Sequence, residues 1–191
     1  SLQALKGYAD NYFDVAIADP PYGLGDRLVK GGAKGGMGTM KNLADDKVTT
    51  WDDKIPPAEY FTELQRVSKN QIIWGGNYFT EYLKPMMSWI IWDKMQHKFS
   101  FADGEMAWNS FGTKMKIMQY ARGNESGFAP KIKAGFKYGL NIHPTQKPIY
   151  LYEWCLTNFA EKGQKIFDSH LGSGSIAIAC DKLGFDLTAT E

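Results

Sequence analysis

Short apolar runs rich in β-branched and aromatic residues recur along the chain, and most are closed by a turn-forming or charged residue. This pattern is typical of buried strands. Seven runs fit it: residues 13–18, 71–74, 89–92, 105–109, 115–120, 165–168 and 185–190. We therefore predict a sheet built largely from these runs.

Three other stretches carry apolar residues at spacings of three and four, which predicts helices. One covers residues 51–68, where Pro56 and Pro57 suit the first turn. A second follows Thr145 as N-cap and ends by Gly163, and the third covers residues 174–183. The third is expected to bury Ile176, Ile178, Ala179, Cys180 and Leu183. Strands alternating with helices predict a mostly parallel α/β sheet, with an antiparallel edge pair where the connection is short.

The composition is that of one ordinary globular domain: 191 residues, 43% hydrophobic and 23% charged, with a net charge of +1. Cys155 and Cys180 lie in apolar stretches and are expected to be core thiols, which fits a reducing compartment. No apolar run approaches ~20 residues, so we predict no membrane span, and no signal peptide is recognised. Because the chain begins without Met and ends directly after a predicted strand, we expect a domain truncated at both ends.

The first candidate site follows the first predicted strand. Asp19-Pro20-Pro21-Tyr22 ends that strand, because proline has no N–H to give to a sheet ladder. Open α/β sheets bind their ligands at the carboxyl ends of strands. A planar substrate with an amino group could stack on Tyr22 and donate hydrogen bonds to Asp19 and to the Pro20 carbonyl. A plain turn with a capping carboxylate explains the same four residues equally well.

The end of the chain has the pattern of a β-α-β unit with a glycine-rich turn after residues 165–168. The turn contains Gly172 and Gly174, and Glu191 follows Gly172 by about 20 residues, the spacing expected of a carboxylate that binds ribose hydroxyls. Asp168 at the strand tip would repel a pyrophosphate but attract an ammonium or sulfonium group. A ribose together with a cationic amino acid describes S-adenosylmethionine.

Taken in order, these motifs resemble the amino-methylating DNA methyltransferases, which make N6-methyladenine or N4-methylcytosine. Asp19-Pro20-Pro21-Tyr22 matches the catalytic motif of that family, and residues 167–174 match its cofactor motif. Residues 143–148 match the segment before the cofactor motif, and residues 74–79 are similar to another common segment. With the catalytic motif first, the order is the circularly permuted arrangement called the β group.

The resemblance implies a three-layer Rossmann-like S-adenosylmethionine-dependent methyltransferase fold and assigns roles to the motifs. The catalytic residues would be Asp19, Pro20, Pro21 and Tyr22, with Tyr22 stacked on a base flipped out of the duplex, in the first place adenine, methylated at N6. The cofactor-binding residues would be Asp168, Ser169, His170, Gly172, Ser173, Gly174, Glu191 and Lys147. Among them, Glu191 would bind the ribose and Lys147 the methionine carboxylate. Ser169 and His170 stand where many members have Pro-Phe.

The resemblance also divides the chain into a catalytic-motif half (1–111), a target-recognition segment (112–142) and a cofactor-binding half (143–191). The expected DNA-binding residues are the basic side chains Lys114, Lys116, Arg122, Lys131, Lys133 and Lys137, which are interleaved with aromatic residues. Cations neutralise phosphate and rings stack on bases, although a solvated loop has the same pattern. The glycine-rich residues 23–40 are expected to form a mobile loop. The resemblance further implies double-stranded DNA as the substrate and the cytoplasm of a prokaryote or phage host as the location. It also allows a homodimer or a cognate restriction endonuclease as a partner.

Other functions stay open. A methyltransferase of RNA or of protein glutamine would use the same cofactor, usually with Asn in place of Asp19. A non-catalytic remnant of the fold would bind DNA but not S-adenosylmethionine. A dinucleotide oxidoreductase is disfavoured because it leaves residues 19–22 unexplained. No second His or Cys stands at metal-ligand spacing from His143, so no metal site is predicted.

Overall fold

The computed structural model describes residues 2–24, 54–97, 102–112, 114–121 and 146–191. Within them the strands are β1 (Phe13–Ala18), β2 (Ser68–Trp74), β3 (Trp89–Asp93), β4 (Gly104–Asn109), β5 (Lys116–Gln119), β6 (Lys165–Asp168) and β7 (Asp186–Ala189). The α-helices are α1 (Leu2–Leu5), α2 (Ala58–Val67), α3 (Ile149–Phe159) and α4 (Ser175–Leu183). A short 3-10 helix, Gly76–Tyr78, follows β2. All the predicted strands are present.

The strands form one sheet in the order β5-β3-β4-β2-β1-β6-β7. Every neighbouring pair is parallel except those of β4, which runs antiparallel to both β2 and β3. The predicted mostly parallel α/β sheet with an antiparallel pair is therefore confirmed. The expected position of the antiparallel pair at an edge of the sheet is wrong: the reversed strand β4 lies inside the sheet, because the connection from β4 to β5 passes β3 and places β5 at the edge, parallel to β3.

Helices cover both faces of the sheet, which gives the expected three layers. Alternate side chains of β1 point to opposite faces, so Val15 and Ile17 pack in the core under α3 and α4, whereas Ala16 and Ala18 pack in the core under α2. Phe13 and Phe167 stack with ring centroids 4.5 Å apart and join β1 to β6. This central β1–β6 pair carries both candidate motifs at its carboxyl end.

Several sequence expectations need correction in detail. Helix α2 begins only at Ala58, because Pro57 restricts the residue before it and is itself extended, with ψ 158°. Ile178 and Leu183, expected in the core, are 40% and 39% exposed. Ile178 lies on the side of α4 opposite the buried Ile176, and Leu183 is the last residue of the helix.

Both cysteines are buried and free, as predicted. In the described ranges, no helix has the length and apolarity needed to cross a membrane.

Candidate active site

A cavity of about 420 Å³ lies where the chain leaves three neighbouring strands. Its walls include Asp19 and Pro21 after β1, Gly172 and Ser173 after β6, and Glu191 after β7. These strands are parallel neighbours, so their carboxyl ends meet at one edge of the sheet. The fold thereby brings together two motifs from opposite ends of the chain, at the place where α/β sheets bind ligands.

The predicted site residues divide between the cavity wall and the layer behind it. Asp19, Pro21, Lys147, His170, Gly172, Ser173 and Glu191 line the cavity, whereas Pro20, Tyr22, Asp168, Ser169 and Gly174 do not. The second group is largely or partly buried next to the first along the chain. These residues can shape the wall and its charges without forming its surface.

The Asp19 carboxylate is held from two sides. The Tyr22 hydroxyl donates to Oδ1 at 2.7 Å, and Lys147 Nζ lies 2.5 Å from Oδ2. Lys147 also donates to the Tyr22 hydroxyl at 2.9 Å, so each of these three side chains contacts the other two. The Asp19 side chain nevertheless stays 23% exposed, so the carboxylate remains open towards the cavity.

Tyr22 is packed into the protein through its ring. It stacks on Tyr78 with centroids 5.1 Å apart and planes at 19°, and its edge meets Phe79. Burial, together with the nearby Asp19 carboxylate, raises the pKa of Tyr22 well above its ordinary value, so its hydroxyl is a neutral donor. The role of Tyr22 as a stacking platform for a base stays a prediction. Tyr78, 45% exposed, is a second aromatic side chain at the same place.

Gly75 explains how Tyr22 can lie so close to β2. A Cβ on Gly75 would stand 2.2 Å from Tyr22 Cε1, and the residue has a φ of +68°.

Gly112 has the same φ, but a Cβ placed on it would meet nothing within 4 Å, which makes it a matched control. Gly112→Ala should cost about 1 kcal/mol of unfolding free energy, and Gly75→Ala about 2–4 kcal/mol because the ring must move as well. Urea denaturation measures both; equal losses would contradict the close approach.

Behind the cavity, the Asp168 carboxyl is only 1% exposed and accepts a hydrogen bond from the His170 N–H at 3.0 Å. Burial raises the pKa of Asp168 to about 7, with the charges of Asp19 and Glu191 acting in the same direction and the His170 amide opposing them. An ammonium group close by would therefore find a carboxyl that ionises in response to it.

At the glycine turn, the Gly172 N–H donates to Glu191 Oε2 at 2.6 Å. Gly172 and Gly174 have φ values of +51° and +74°, which L side chains rarely adopt, so the glycines permit the sharp turn between β6 and α4. The Glu191 carboxylate consequently stands at the mouth of this turn, with its second oxygen available to a ligand.

The Ser169-His170 pair is tied to α2. Ser169 Oγ lies 2.6 Å from the Tyr60 hydroxyl and 3.0 Å from His170 Nδ1. The Ser169 hydroxyl is therefore within hydrogen-bonding distance of both side chains. Burial lowers the pKa of His170 to about 4, so the imidazole on the cavity wall is neutral. Nothing in the sequence points to Tyr60 at this place, because its apolar helical spacing is that of an ordinary core residue.

Lys147 is 5% exposed and contacts two carboxylates, Asp19 and Glu105 of β4, the latter at 3.2 Å. The proposal that it binds a methionine carboxylate stays a prediction, but these contacts do not favour it, because the ammonium group is already engaged. Glu105 was missed in the sequence, where it stands at the start of a strand with no motif around it. Its pairing follows from β4 lying beside β2 and β3.

Of the predicted DNA-binding residues, the structure describes Lys114, which is exposed, and Lys116, which donates to Asn158 at 2.9 Å. The remaining ones lie outside the described residues: Arg122, Lys131, Lys133 and Lys137. Most of the glycine-rich stretch 23–40, His143 and Thr145 lie outside them as well. Among the side chains that are described, no group of three His, Cys, Asp or Glu residues could hold a metal ion.

The chain resembles known DNA methyltransferases in sequence. Residues 91–188 match the N6/N4 family model described as DNA methylase. The Type II methyltransferase M.HpaI of Haemophilus parainfluenzae is 24% identical over an alignment 217 positions long, which covers 96% of this chain and 65% of that protein. The chain thus spans just under two thirds of the length of this curated relative.

Solved structures share the fold. The M1.HpyAVI–SAM complex superposes with a TM-score of 0.54 at 17% identity, over 100% of this chain and 87% of that one. The cytosine-N4-specific PvuII DNA methyltransferase superposes with a TM-score of 0.56 at 11% identity, over 100% of this chain and 78% of that one. Since the family match spans more than half of the chain, the protein belongs to the amino-methylating N6/N4 DNA methylase family.

Proposed function

We propose that the protein transfers a methyl group from S-adenosylmethionine to the exocyclic amino group of a DNA base, with N6 of adenine as the preferred target. The observation that carries this proposal is that one cavity is lined both by Asp19 of one motif and by Gly172 and Glu191 of the other. Membership of the DNA methylase family supports it. So does the shared fold with M1.HpyAVI, which was crystallised as a SAM complex.

The residues around the glycine turn fit an S-adenosylmethionine molecule chemically. The free oxygen of Glu191 can accept hydrogen bonds from ribose hydroxyls, and the buried Asp168 carboxyl can ionise when an ammonium group binds beside it. When bound, this cofactor supplies a methyl group activated by a sulfonium. Because Asp168 favours a cation and would repel a pyrophosphate, the site suits this ligand better than a dinucleotide.

Asp19 acts as an acceptor for the amine of the target base. The lone pair of an exocyclic amine is delocalised into the ring, and hydrogen bonds to Asp19 and to the Pro20 carbonyl favour a nitrogen whose lone pair is available. The contacts with Tyr22 and Lys147 fix the Asp19 carboxylate before the base arrives. Catalysis then rests on positioning and electrostatics in a direct displacement, without a covalent enzyme intermediate. The amine nitrogen forms its bond to the methyl group as the sulfonium C–S bond breaks, S-adenosylhomocysteine is the neutral thioether that leaves, and the surplus proton on the nitrogen is released to solvent.

The base must leave the duplex to reach Asp19, because the amine of a paired base is not accessible to this cavity. The stacked Tyr22 and Tyr78 rings offer an aromatic surface for the extruded base. The preference for adenine is a part of the proposal that nucleoside analysis of the methylated DNA tests, since a cytosine-N4-specific enzyme has the same fold. Double-stranded DNA is the proposed substrate; a homodimer, a cognate endonuclease and a cytoplasmic location stay predictions.

Calorimetric titration with S-adenosylmethionine, S-adenosylhomocysteine and NAD tests the cofactor. We expect the first two to bind and NAD not to bind. Glu191→Ala should weaken binding of S-adenosylmethionine by about tenfold or more through loss of charge-assisted hydrogen bonds. The matched control is Asp186→Ala at an exposed position of β7, which should leave the affinity unchanged. Binding of NAD alone, or no binding by folded protein, would refute the proposal.

A further inference from the structure

We propose that Lys147 and Glu105 are positioning residues for Asp19, members of a chain of alternating charges that runs from Asp19 through Lys147 and Glu105 to Lys94. This inference rests on the proposed function, because it concerns how Asp19 meets the base amine. It assigns Lys147 a role in the methyl-transfer step in place of binding the methionine carboxylate.

The four charges are contributed by four different parts of the fold. Asp19 follows β1, Lys147 stands just before α3, Glu105 belongs to β4, and Lys94 follows β3. Lys147 Nζ lies 2.5 Å from Asp19 Oδ2 and 3.2 Å from Glu105 Oε2, and Lys94 Nζ lies 2.6 Å from Glu105 Oε1. The two lysine side chains are 5% and 9% exposed, so neither ammonium group is freely hydrated.

The contacts keep the two central members, Lys147 and Glu105, ionised. Burial disfavours the ammonium form of Lys147, but Asp19 and Glu105 outweigh it and raise the pKa of this lysine. Burial likewise disfavours the Glu105 carboxylate, and Lys147 and Lys94 outweigh it and lower its pKa to about 2. Two positive and two negative charges balance, which is the condition under which buried ions are tolerated.

Glu105 divides the attraction of Lys147 between two carboxylates. With Tyr22 on Oδ1 and Lys147 on Oδ2, the Asp19 carboxylate is oriented from both sides, and its remaining lone pairs are left for the base amine. Without Glu105, the Lys147 ammonium group would act on Asp19 alone. It would then draw negative charge away from the Asp19 oxygens that accept the hydrogen bond of the base amine. Lys94 holds Glu105 in turn, and neither of these two residues lines the cavity.

Kinetics and calorimetry on the same variants separate this role from cofactor binding. Lys147→Met should lower kcat by about 100-fold and Glu105→Gln by about tenfold, with the Kd of S-adenosylmethionine within about threefold of wild type. Lys182→Met, which removes the half-exposed pair with Glu153 on α3, is the control and should change neither. A rise of about tenfold or more in cofactor Kd for Lys147→Met, or an unchanged kcat, would overturn the proposal.

A double-mutant cycle keeps the test valid where Lys147→Met fails to fold. Lys94→Met should lower kcat by about fivefold in the wild type but by less than about twofold in the Glu105→Gln background, because Lys94 acts through Glu105. Additive effects of the two substitutions on kcat would overturn the proposed chain of charges. If the wild type transfers no methyl group, the proposed function fails. The same double-mutant cycle is then measured on the equilibrium constant for unfolding in urea. Coupling of the two substitutions above about fourfold supports the chain of charges, and additive effects refute it.

Discussion

Replacing Asp19 by alanine is expected to lower methyl transfer by about 1000-fold or more, with the affinity for S-adenosylmethionine within about threefold of wild type. In the proposed mechanism the carboxylate is the acceptor for the base amine, and it follows a different strand from the glycine turn at Gly172. Asp19→Asn keeps the shape of the side chain but removes its charge, and should also be strongly impaired.

Single-turnover transfer from labelled cofactor measures the activity of these variants, and calorimetry measures their cofactor affinity. The control is Asp181→Ala, which removes an exposed carboxylate from α4 and should leave both quantities unchanged. Cofactor affinity that fell as far as activity would mean that Asp19 belongs to the cofactor site. Full activity of Asp19→Ala would remove Asp19 from the mechanism altogether.

Asp168→Asn is expected to bind S-adenosylmethionine at least about 100-fold more weakly and yet to be more stable than the wild type above pH 7. The native protein holds the Asp168 proton up to a pKa of about 7, whereas the unfolded chain releases it near the ordinary value of 3.8. Between these values the native state binds more protons, so stability falls as pH rises. The loss reaches about 4 kcal/mol at most by pH 7 and above. Asparagine has no proton to lose and avoids this loss.

Denaturation midpoints between about pH 5 and pH 8 test the stability part of this prediction. The wild type should lose stability relative to Asp168→Asn as pH rises, and parallel curves would show that Asp168 does not hold a proton in the native state. His170 remains neutral across this range because burial lowers its pKa to about 4, so its native-state charge does not change there.

The same carboxyl should make cofactor binding depend on pH. An ammonium group near Asp168 favours the ionised form, so binding below pH 7 must release the proton, and affinity should rise with pH towards 7. Titrations in buffers of different ionisation enthalpy measure the protons released. In Asp168→Asn this release should vanish. Wild-type affinity that is flat between about pH 5.5 and 7 would contradict the assignment.

Local sequence signals were sufficient for the sheet and for the two motifs. The β-branched run of β1, the proline stop after it and the glycine turn after β6 each act over a few residues, so their structures follow from the chain nearby. The expected start of the helix before Ala58 was wrong, because the spacing of apolar residues does not show at which residue a helix can begin next to a proline. The expected burial of Ile178 was wrong because that spacing does not show which face of the helix packs against the sheet.

Contacts made across the sheet could not be predicted in this way. The pairing of Lys147 with Glu105 needs β4 to run antiparallel inside the sheet, which nothing near Glu105 in the sequence indicates. The contact of Tyr60 with Ser169 depends in the same way on how α2 packs against the β6 end. The two motifs and their meeting at one edge of the sheet were therefore predictable from the sequence, whereas the side chains that contact them across the sheet required the structure.

Methyl transfer from labelled S-adenosylmethionine to double-stranded DNA, followed by nucleoside analysis, shows whether the protein methylates the amino group of a DNA base. RNA and a protein substrate are assayed in parallel under the same conditions, with Asp19→Ala as the inactive control. We expect label in DNA as N6-methyladenine, and we expect this label to be lost in the variant. Label in RNA or protein with none in DNA, or no transfer by folded protein that binds the cofactor, would contradict this expectation.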